Sequence, residues 1–586
     1  MPSPWKSVSS THPVDSQYLE AGSRVAVIGG GPAGSFFCYF LLEMASRIGL
    51  EIEVDVYEPK DYEKPGPAGC NMCGGIVSES LVQYLAAEGI TLESDVVQRG
   101  IDSYVMHIDA GSVRIDPPGY EKRIAAVHRG SGPRGVTGHR WASFDNYLAT
   151  LTQSRGARII HEKVEKIDRD DGRPRVWPKD GDPTTYDLLA AAVGVNGAGL
   201  RLFQEFDLGY EAPKTTKTYI CELPLGGEVI EKHFGSSMHV FLLDIPRLEF
   251  AAIIPKGEYA TVVLLGDSID KALVDDFLGS PEVARCLPSD FAMPENLCRC
   301  FPSINVKGSP QPYFDRVVFV GDCGENRLYK DGIGGAYRTA KAAARTAVFE
   351  GVSSESFRRY YAPVVRDLAR DNSIGKVVFL VTGLFRKVPF ARRGMLRMVT
   401  MEQHSGSTGK RMSGVLWDTF TGSSPYRDVF MRTLHPMFLG RLVGNCLLTL
   451  RSGGPNTRRE DDSMKLGELG RVYQTGETIV QEGEVGDCMY VIQSGKVEVV
   501  KQDETGWVKL AELGKGDFFG EMALFEKDVR SATVRPLGEA RVLTIDKRMF
   551  LRKIHEDPSL AFRVMEKMSR RVRELNQQLT EAHKET

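Results

Sequence analysis

The sequence predicts a composite fold. An α/β domain of Rossmann type holds an inserted antiparallel sheet; a basic helical region and an all-β roll ending in a helix follow. Three observations predict it. Arg24–Gly29 is a short apolar run that ends in glycines and leads into a helical pattern, as a buried parallel strand and its crossover helix do. Several segments between residues 103 and 265 read as strands separated by turn signals. Residues 470–547 place glycine at almost every turn of an all-β pattern.

Composition bounds the possibilities. The chain has 586 residues, 42% hydrophobic and 26% charged, which excludes a mostly disordered, collagen-like or multispan membrane protein. The net charge is −3, from 74 basic and 77 acidic side chains, so no global field favours nucleic acid. Ten cysteines without framework spacing fit a reducing compartment. Met1–Gly22 is polar and lacks the apolar core of a targeting signal, and no run of 18 apolar residues occurs. A cytoplasmic protein with a disordered segment at 1–22 is expected.

The elements follow in order. Residues 33–48 repeat apolar side chains at helical spacing, with Phe36, Phe37, Phe40 and Leu41 on one side. Ile52–Tyr57 reads as a second strand, closed by Glu58-Pro59. Pro65–Gly75 is crowded with glycine, proline and cysteine and reads as a loop, and 76–88 as a helix. Ser103–Ile115, Thr218–Leu223, Met238–Leu243, Phe250–Ile254 and Ala260–Leu265 read as strands. Val317–Val320 is another buried strand, followed by a glycine-led helix at 332–348. Gly453–Asp462 is the best linker in the chain. The expected domains are 23–375 with a substrate sheet at about 205–300, the basic helical region 376–460, and 465–586.

Gly29-Gly-Gly31-Pro-Ala-Gly34 fits G-x-G-x-x-G in its full strand–turn–helix context, with an acidic strand end at Glu58. Gly29 turns the chain, Gly31 lets backbone approach a pyrophosphate, and Gly34 lets helix and strand pack closely. The helix N-terminus offers N–H groups and positive dipole to the phosphates. Glu58 can accept the ribose hydroxyls of an adenosine. Two later segments qualify the dinucleotide: Arg140-Trp-Ala-Ser-Phe144-Asp145 leading into a helix, and Val317-Val-Phe-Val-Gly321-Asp322 followed by Lys330-Asp331-Gly332-Ile333-Gly334-Gly335.

With these three motifs in order, residues 22–375 resemble the FAD-dependent oxidoreductases of glutathione-reductase-like fold. In particular they look like the geranylgeranyl reductase family and its relatives, the single-component flavin hydroxylases. The resemblance implies FAD as cofactor. It places Asp322 on the ribityl–pyrophosphate chain, Gly332 and Gly334 at the helix N-terminus facing the flavin pyrimidine, and Arg140 among the cofactor ligands. The chain departs from the pattern at Ala192-Val-Gly-Val-Asn-Gly197, where the family aspartate is missing. No second G-x-G-x-x-G unit occurs. The reductant is therefore expected to dock transiently, as NAD(P)H or an electron-transfer protein.

Cys70-Asn-Met-Cys73-Gly74-Gly75 suits disulfide exchange or half a zinc site, but no second C-x-x-C or close Cys/His pair completes the latter. A small residue in a crowded loop is the alternative. The resemblance places Cys73 facing the flavin as the catalytic candidate and gives Cys70 no counterpart. The family's tryptophan-bearing substrate strand corresponds to Phe250-Ala-Ala-Ile-Ile-Pro255-Lys256-Gly257, here without tryptophan. Small aliphatic residues there suit an elongated apolar substrate, and the resemblance implies one of isoprenoid type. Reduction of an alkene and flavin-dependent monooxygenation both remain open.

Lys376–Glu460 holds 14 Lys/Arg against 4 Asp/Glu. Its apolar stretches 377–385 and 437–450, flanked by basic residues, suit either an interfacial membrane contact or a helical cap over the preceding domain. Residues 465–580 resemble cyclic-nucleotide-binding domains, in which Phe519-Gly520-Glu521-Met522-Ala523-Leu524 and Arg530-Ser531-Ala532-Thr533 correspond to the phosphate cassette. The resemblance implies that Gly520 and its short helix offer N–H groups to a cyclic phosphate and that Arg530 neutralises it. Glu521 then takes the ribose 2′-hydroxyl, and Ser531 adds a hydroxyl contact. cAMP or cGMP is the expected ligand. A cyclic-nucleotide receptor with a redox-sensing or scaffolding flavin domain is the reading from another class.

Overall fold

A computed structural model describes residues 17–116, 121, 123–134, 141–404, 410–449, 469–503, 506–522, 529–557 and 559–585. The chain divides into two compact units. One comprises 1–77, 103–116 and 126–464; the other comprises 78–102, 117–125 and 465–586.

The first unit is built on a six-stranded sheet in the order 313–314, 317–319, 188–191, 24–28, 53–57, 158–160. All pairs are parallel except the one between 313–314 and 317–319. Val25, Ala26 and Val27 are wholly buried, as a strand covered on both faces requires. Helices Pro32–Arg47 and Gly332–Phe349 meet over this sheet, where Tyr337 packs edge-on against Phe36 and Phe40 at 5.6 and 5.4 Å. The helix expected at 76–88 is shorter: Ile76–Val77 is extended, and Ser78 caps Glu79–Ala87 by accepting from the Leu81 N–H at 3.3 Å.

The second sheet of this unit corrects one expectation. It has seven strands, in the order 298–300, 219–224, 259–266, 248–256, 237–241, 103–108, 111–115. Ser103–Ile115, expected as a strand, is a hairpin of 103–108 and 111–115 and joins this sheet. Strand Ser237–Phe241 pairs in parallel with Ser103–Ile108, so the sheet is not purely antiparallel. A strand with an unpaired edge needs a partner for its N–H and C=O groups, and the hairpin supplies it. One face packs Phe241, Ile253, Val262 and Leu264 under Ile230, Phe277 and Val283 from three helices. On that side His107 and His239 share a hydrogen bond of 3.0 Å, and the His107 ring lies 3.6 Å from the Cys286 sulfur.

Helices 362–387, 389–404, 411–421, 426–433 and 436–449 belong to the same unit. Several of its cations are used internally: Arg386 donates to the Glu249 carbonyl at 2.8 Å, and Arg392 pairs with Asp109 at 2.7 Å. Trp417 packs edge-on against Tyr104 at 5.2 Å. The region therefore acts as a helical cap on the sheets.

The second unit is a five-stranded antiparallel roll of 471–473, 533–546, 488–503 and 506–513 in spatial order, with 518–519 paired to 488–503. Ile492, Val497, Ala540 and Val542 fill its core. Gly495 turns with φ +79°, and a β-carbon there would lie 2.2 Å from the Glu539 carbonyl oxygen. Helices 547–556 and 559–585 complete the roll. This unit also takes in helix Glu79–Ala87. Arg563 bonds Glu88 at its end, and Arg123 bridges Glu79 at 3.4 Å and Asp546 at 2.9 Å.

Candidate functional site

In the first unit the glycine turn follows strand Arg24–Ile28. Gly29 has φ +104°, and a β-carbon there would lie 2.4 Å from the Ala192 carbonyl oxygen. On Gly34 it would lie 1.9 Å from the Gly29 carbonyl oxygen, so helix and strand touch through backbone alone. Gly31 is different. An added β-carbon would meet only the Arg129 guanidinium at 3.5 Å, the Asn71 amide at 3.6 Å and the Asp145 carboxylate at 4.0 Å. It would fill the mouth of a polar cradle above the helix N-terminus. Glu58, buried at the end of the second strand, accepts from the Gly30 N–H at 2.8 Å and from the Tyr62 hydroxyl at 2.7 Å.

Arg129 is the residue that sequence reasoning missed. Its Nη2 lies 2.8 Å from Asp145, itself wholly buried, and Asn71 donates to the same carboxylate. Burial alone would weaken its charge, but Asp145 holds the Arg129 guanidinium firmly protonated. The arginine expected in this role, Arg140, lies outside the described residues. Asp145, in the Phe-Asp pair after Arg140, was the available signal.

Asp322 follows strand 317–319 on a short 3₁₀ turn and is half-buried. Burial raises its carboxyl, while the Asn326 amide that donates to it and the positive charge of Arg129 pull it back. Gly332 opens helix 332–349 and is exposed; a β-carbon on Gly334 would lie 2.2 Å from the Asp331 carboxylate, which would have to shift. Behind this turn Arg327 and Asp331 form a buried pair at 3.2 Å. Glu325 accepts from Asn372 at 3.0 Å, and burial pushes its carboxyl up to about 7.

The loop Cys70–Gly75 lies on the second sheet. A β-carbon on Gly74 would sit 3.0 Å from Val263, and one on Gly75 would strike the Val127 carbonyl oxygen at 2.0 Å. Cys70 and Cys73 are not bonded to each other. Burial raises the Cys70 thiol, opposite to what disulfide exchange needs. The Gly75 N–H points to the Cys73 sulfur at 3.4 Å.

In the second unit Gly520 has φ +78°, and Arg530 crosses beneath it, donating to the Gly520 and Cys488 carbonyls at 2.8 Å each. Arg530 is buried, as is Glu521, and Ser531 is exposed beside Met522. Ala523 and Leu524 lie outside the described residues. Arg571 of the last helix pairs with Glu521 at 3.2 Å and donates to the Phe518 carbonyl at 3.0 Å. That pairing was not legible in the sequence, because the two residues are 50 positions apart.

Residues 470–557 match the family model of the cyclic nucleotide-binding domain. The C-terminal part of the second unit is thus a cyclic nucleotide-binding domain. The cAMP-dependent protein kinase regulatory subunit of Schizosaccharomyces pombe is 41% identical over 81 residues, 14% of this chain and 19% of that one. The cGMP-dependent protein kinase of Plasmodium berghei is 42% identical over 90 residues, 15% and 10% respectively. The chain thus spans less than a fifth of the length of these two relatives. Among solved structures, a flavoprotein/dehydrogenase from Cytophaga hutchinsonii is similar over 73% of this chain and 99% of that one, at 13% identity and TM-score 0.49. A p-nitrophenol 4-monooxygenase from Pseudomonas putida is similar over 69% and 99%, at 17% identity and TM-score 0.48.

Proposed function

We propose that this chain is an FAD-dependent oxidoreductase of hydrophobic, isoprenoid-type substrates, controlled by a cyclic nucleotide held in its C-terminal domain. The observation that carries the first part is the cradle at Gly31. A glycine turn opens a helix beneath it, Arg129 and Asn71 border it, and Asp322 is close enough for Arg129 to bias its ionisation. The donor set suits a pyrophosphate flanked by hydroxyl-bearing sugars. Helix N–H groups and Arg129 take the phosphates, while Glu58 and Asp322 accept from hydroxyls. Bound FAD supplies hydride chemistry. The chain's part is to orient the cofactor and to present apolar Val263 and Ile254 beside the Cys73–Gly75 loop. Cys73 in that loop is read as lining the reacting face. NAD(P)H or an electron-transfer protein is read as the reductant.

Control is supported by the last helix. Glu521, the acceptor a nucleotide ribose would use, is engaged by Arg571, so a bound ribose would compete with that arginine. The same helix carries Arg563, bonded to Glu88 at the end of helix Glu79–Ala87. That helix follows the Cys70–Gly75 loop within four residues of chain.

Among the described residues no helix is long and apolar enough to cross a membrane. Exposed Leu380, Leu384, Val443 and Leu447, with exposed Lys387, Arg393 and Arg441 nearby in sequence, are read as contacts for an anionic lipid surface.

The deciding experiment is mass spectrometry of small molecules released from the purified protein, followed by anaerobic reduction and addition of an alkene-bearing isoprenoid lipid. Released FAD and anaerobic reoxidation by the lipid are expected. Reoxidation by O₂ alone, with a hydroxylated product, would make the chain a monooxygenase. Nucleotide binding without any turnover would make it a receptor with a flavin scaffold.

A further inference from the structure

Strand Leu248–Lys256 ends on a wholly buried lysine. Lys256 pairs with Tyr259 across the hairpin, and Ile254 pairs with Thr261. Thr261 in turn pairs with Glu222. Paired residues share a face of a sheet, and so do residues two apart on one strand. Lys256, Ile254, Thr261 and Glu222 therefore line one face, the face on which the Cys73–Gly75 loop lies through Gly74. An added β-carbon on Gly75 would sit 2.8 Å from the Lys256 Nζ.

The ammonium has no hydrogen-bond partner among the described residues. Two titratable groups of this neighbourhood, Glu222 and His128, have contacts of their own. Glu222 accepts from the Thr261 hydroxyl at 2.7 Å, and its other oxygen stands 4.0 Å from His128. His128 Nδ1 faces the Gly130 carbonyl at 2.8 Å, and its ring lies edge-on to Trp141 at 5.3 Å. Burial above all lowers the His128 imidazole, with Glu222 pulling the other way and Lys256 adding to the lowering. A buried ammonium without an acceptor is costly, and an acceptor supplied by a bound ligand would offset that cost.

We propose that Lys256 is the cationic end of the substrate site. Its ammonium pairs with an oxyanion of the substrate, a carboxylate, phenolate or phosphate oxygen, and fixes which end of an otherwise apolar molecule lies against the Gly74–Gly75 turn. The inference rests on the flavin reading for its location and deepens it by naming the substrate class, an apolar molecule with one anionic end. Val263 and Ile254 on the same face meet the apolar part. Lys256 is a specificity residue; no chemical step passes through it.

The test uses the full-length, FAD-loaded protein. Flavin absorbance is followed during titration with decanoate and with decan-1-ol, which differ in the charge of one end. The wild type should bind decanoate roughly tenfold or more tightly than the alcohol, the worth of one charge-assisted hydrogen bond. Lys256→Met should bind both alike and keep its FAD, and Lys256→Arg should retain the preference. Without ligand, Lys256→Met should melt no lower than the wild type, because an apolar stem of similar length replaces an unpaired charge. Four results would overturn the proposal: no preference or no response in the wild type, a preference kept by Lys256→Met, FAD lost from that variant, or a melting point several degrees lower. Wild-type protein without FAD would instead refute the flavin reading, and the melting comparison would still decide whether the fold needs this charge.

Discussion

Gly31 is the residue on which the cofactor reading turns. Gly29 and Gly34 are required by the backbone around them, whereas Gly31 has room for a β-carbon in the protein alone. Gly31→Val should therefore fold and yet bind FAD at least tenfold more weakly, read as colourless protein with unchanged far-UV circular dichroism. A fully yellow variant would remove the cradle from the argument. Arg530 is the corresponding residue of the second unit. Arg530→Ala should weaken cAMP or cGMP binding by roughly 2–5 kcal/mol in calorimetry, because a buried cyclic phosphate loses its counter-charge. Arg571→Ala should act in the opposite direction and tighten binding, since Glu521 no longer exchanges one partner for another. Unchanged or weaker binding in that variant would mean that Arg571 does not compete with the ribose.

At the scale of elements, the turn between strand 317–319 and helix 332–349 carries a pH signature. Burial raises the Glu325 carboxyl from 4.5 to about 7. The native state thus holds a proton that the unfolded chain has lost between those values. The stabilisation is complete below about pH 4.5 and disappears as pH rises through 7, a change of about 3 kcal/mol. Glu325→Gln keeps an uncharged group there. Its urea midpoint, compared with the wild type's, should gain progressively between about pH 5 and pH 8. Parallel midpoints across that range would show that Glu325 ionises as an ordinary carboxylate. The helical cap contributes a second expectation at this scale. Val443 and Leu447 share one exposed side of helix 436–449, one turn apart. Replacing both by Ser should reduce sedimentation with vesicles containing anionic lipid and leave the fold unchanged; equal sedimentation would leave the patch without a lipid role.

For the whole molecule, the expectation is coupling. If nucleotide binding moves the last helix, Arg563 carries the motion to Glu88 and helix Glu79–Ala87. A coupling of about 1–3 kcal/mol would change substrate affinity by roughly 5–150-fold, and linkage requires the same factor for the nucleotide. Calorimetric titration of cAMP with and without saturating decanoate measures it, and Arg563→Ala should abolish the difference. Equal affinities in the wild type would mean that the two functions share a chain without exchange of free energy.

What was legible in the sequence is what local backbone chemistry dictates. The strand–glycine–helix turn, the acidic end of the second strand and the Gly520–Glu521 and Arg530–Ser531 cassette each occupy a few consecutive residues. The spacing of the first follows from steric rules that act within one turn, whereas the cassette was legible through its resemblance to cyclic-nucleotide-binding domains. Tertiary structure alone decided the partners. Arg129 stands beside Gly31 because helix 144–153 brings Asp145 to it. Lys256 is buried against Gly75 because a sheet assembled from distant strands covers it. Residues 78–102 and 117–125 fall in the unit of the roll through ion pairs such as Arg123 with Asp546, 423 positions apart. Periodicity records which side of an element is apolar, but not which other element meets that side. The loss of water from a charge, and hence its need for a partner, is set only when the chain has closed around it.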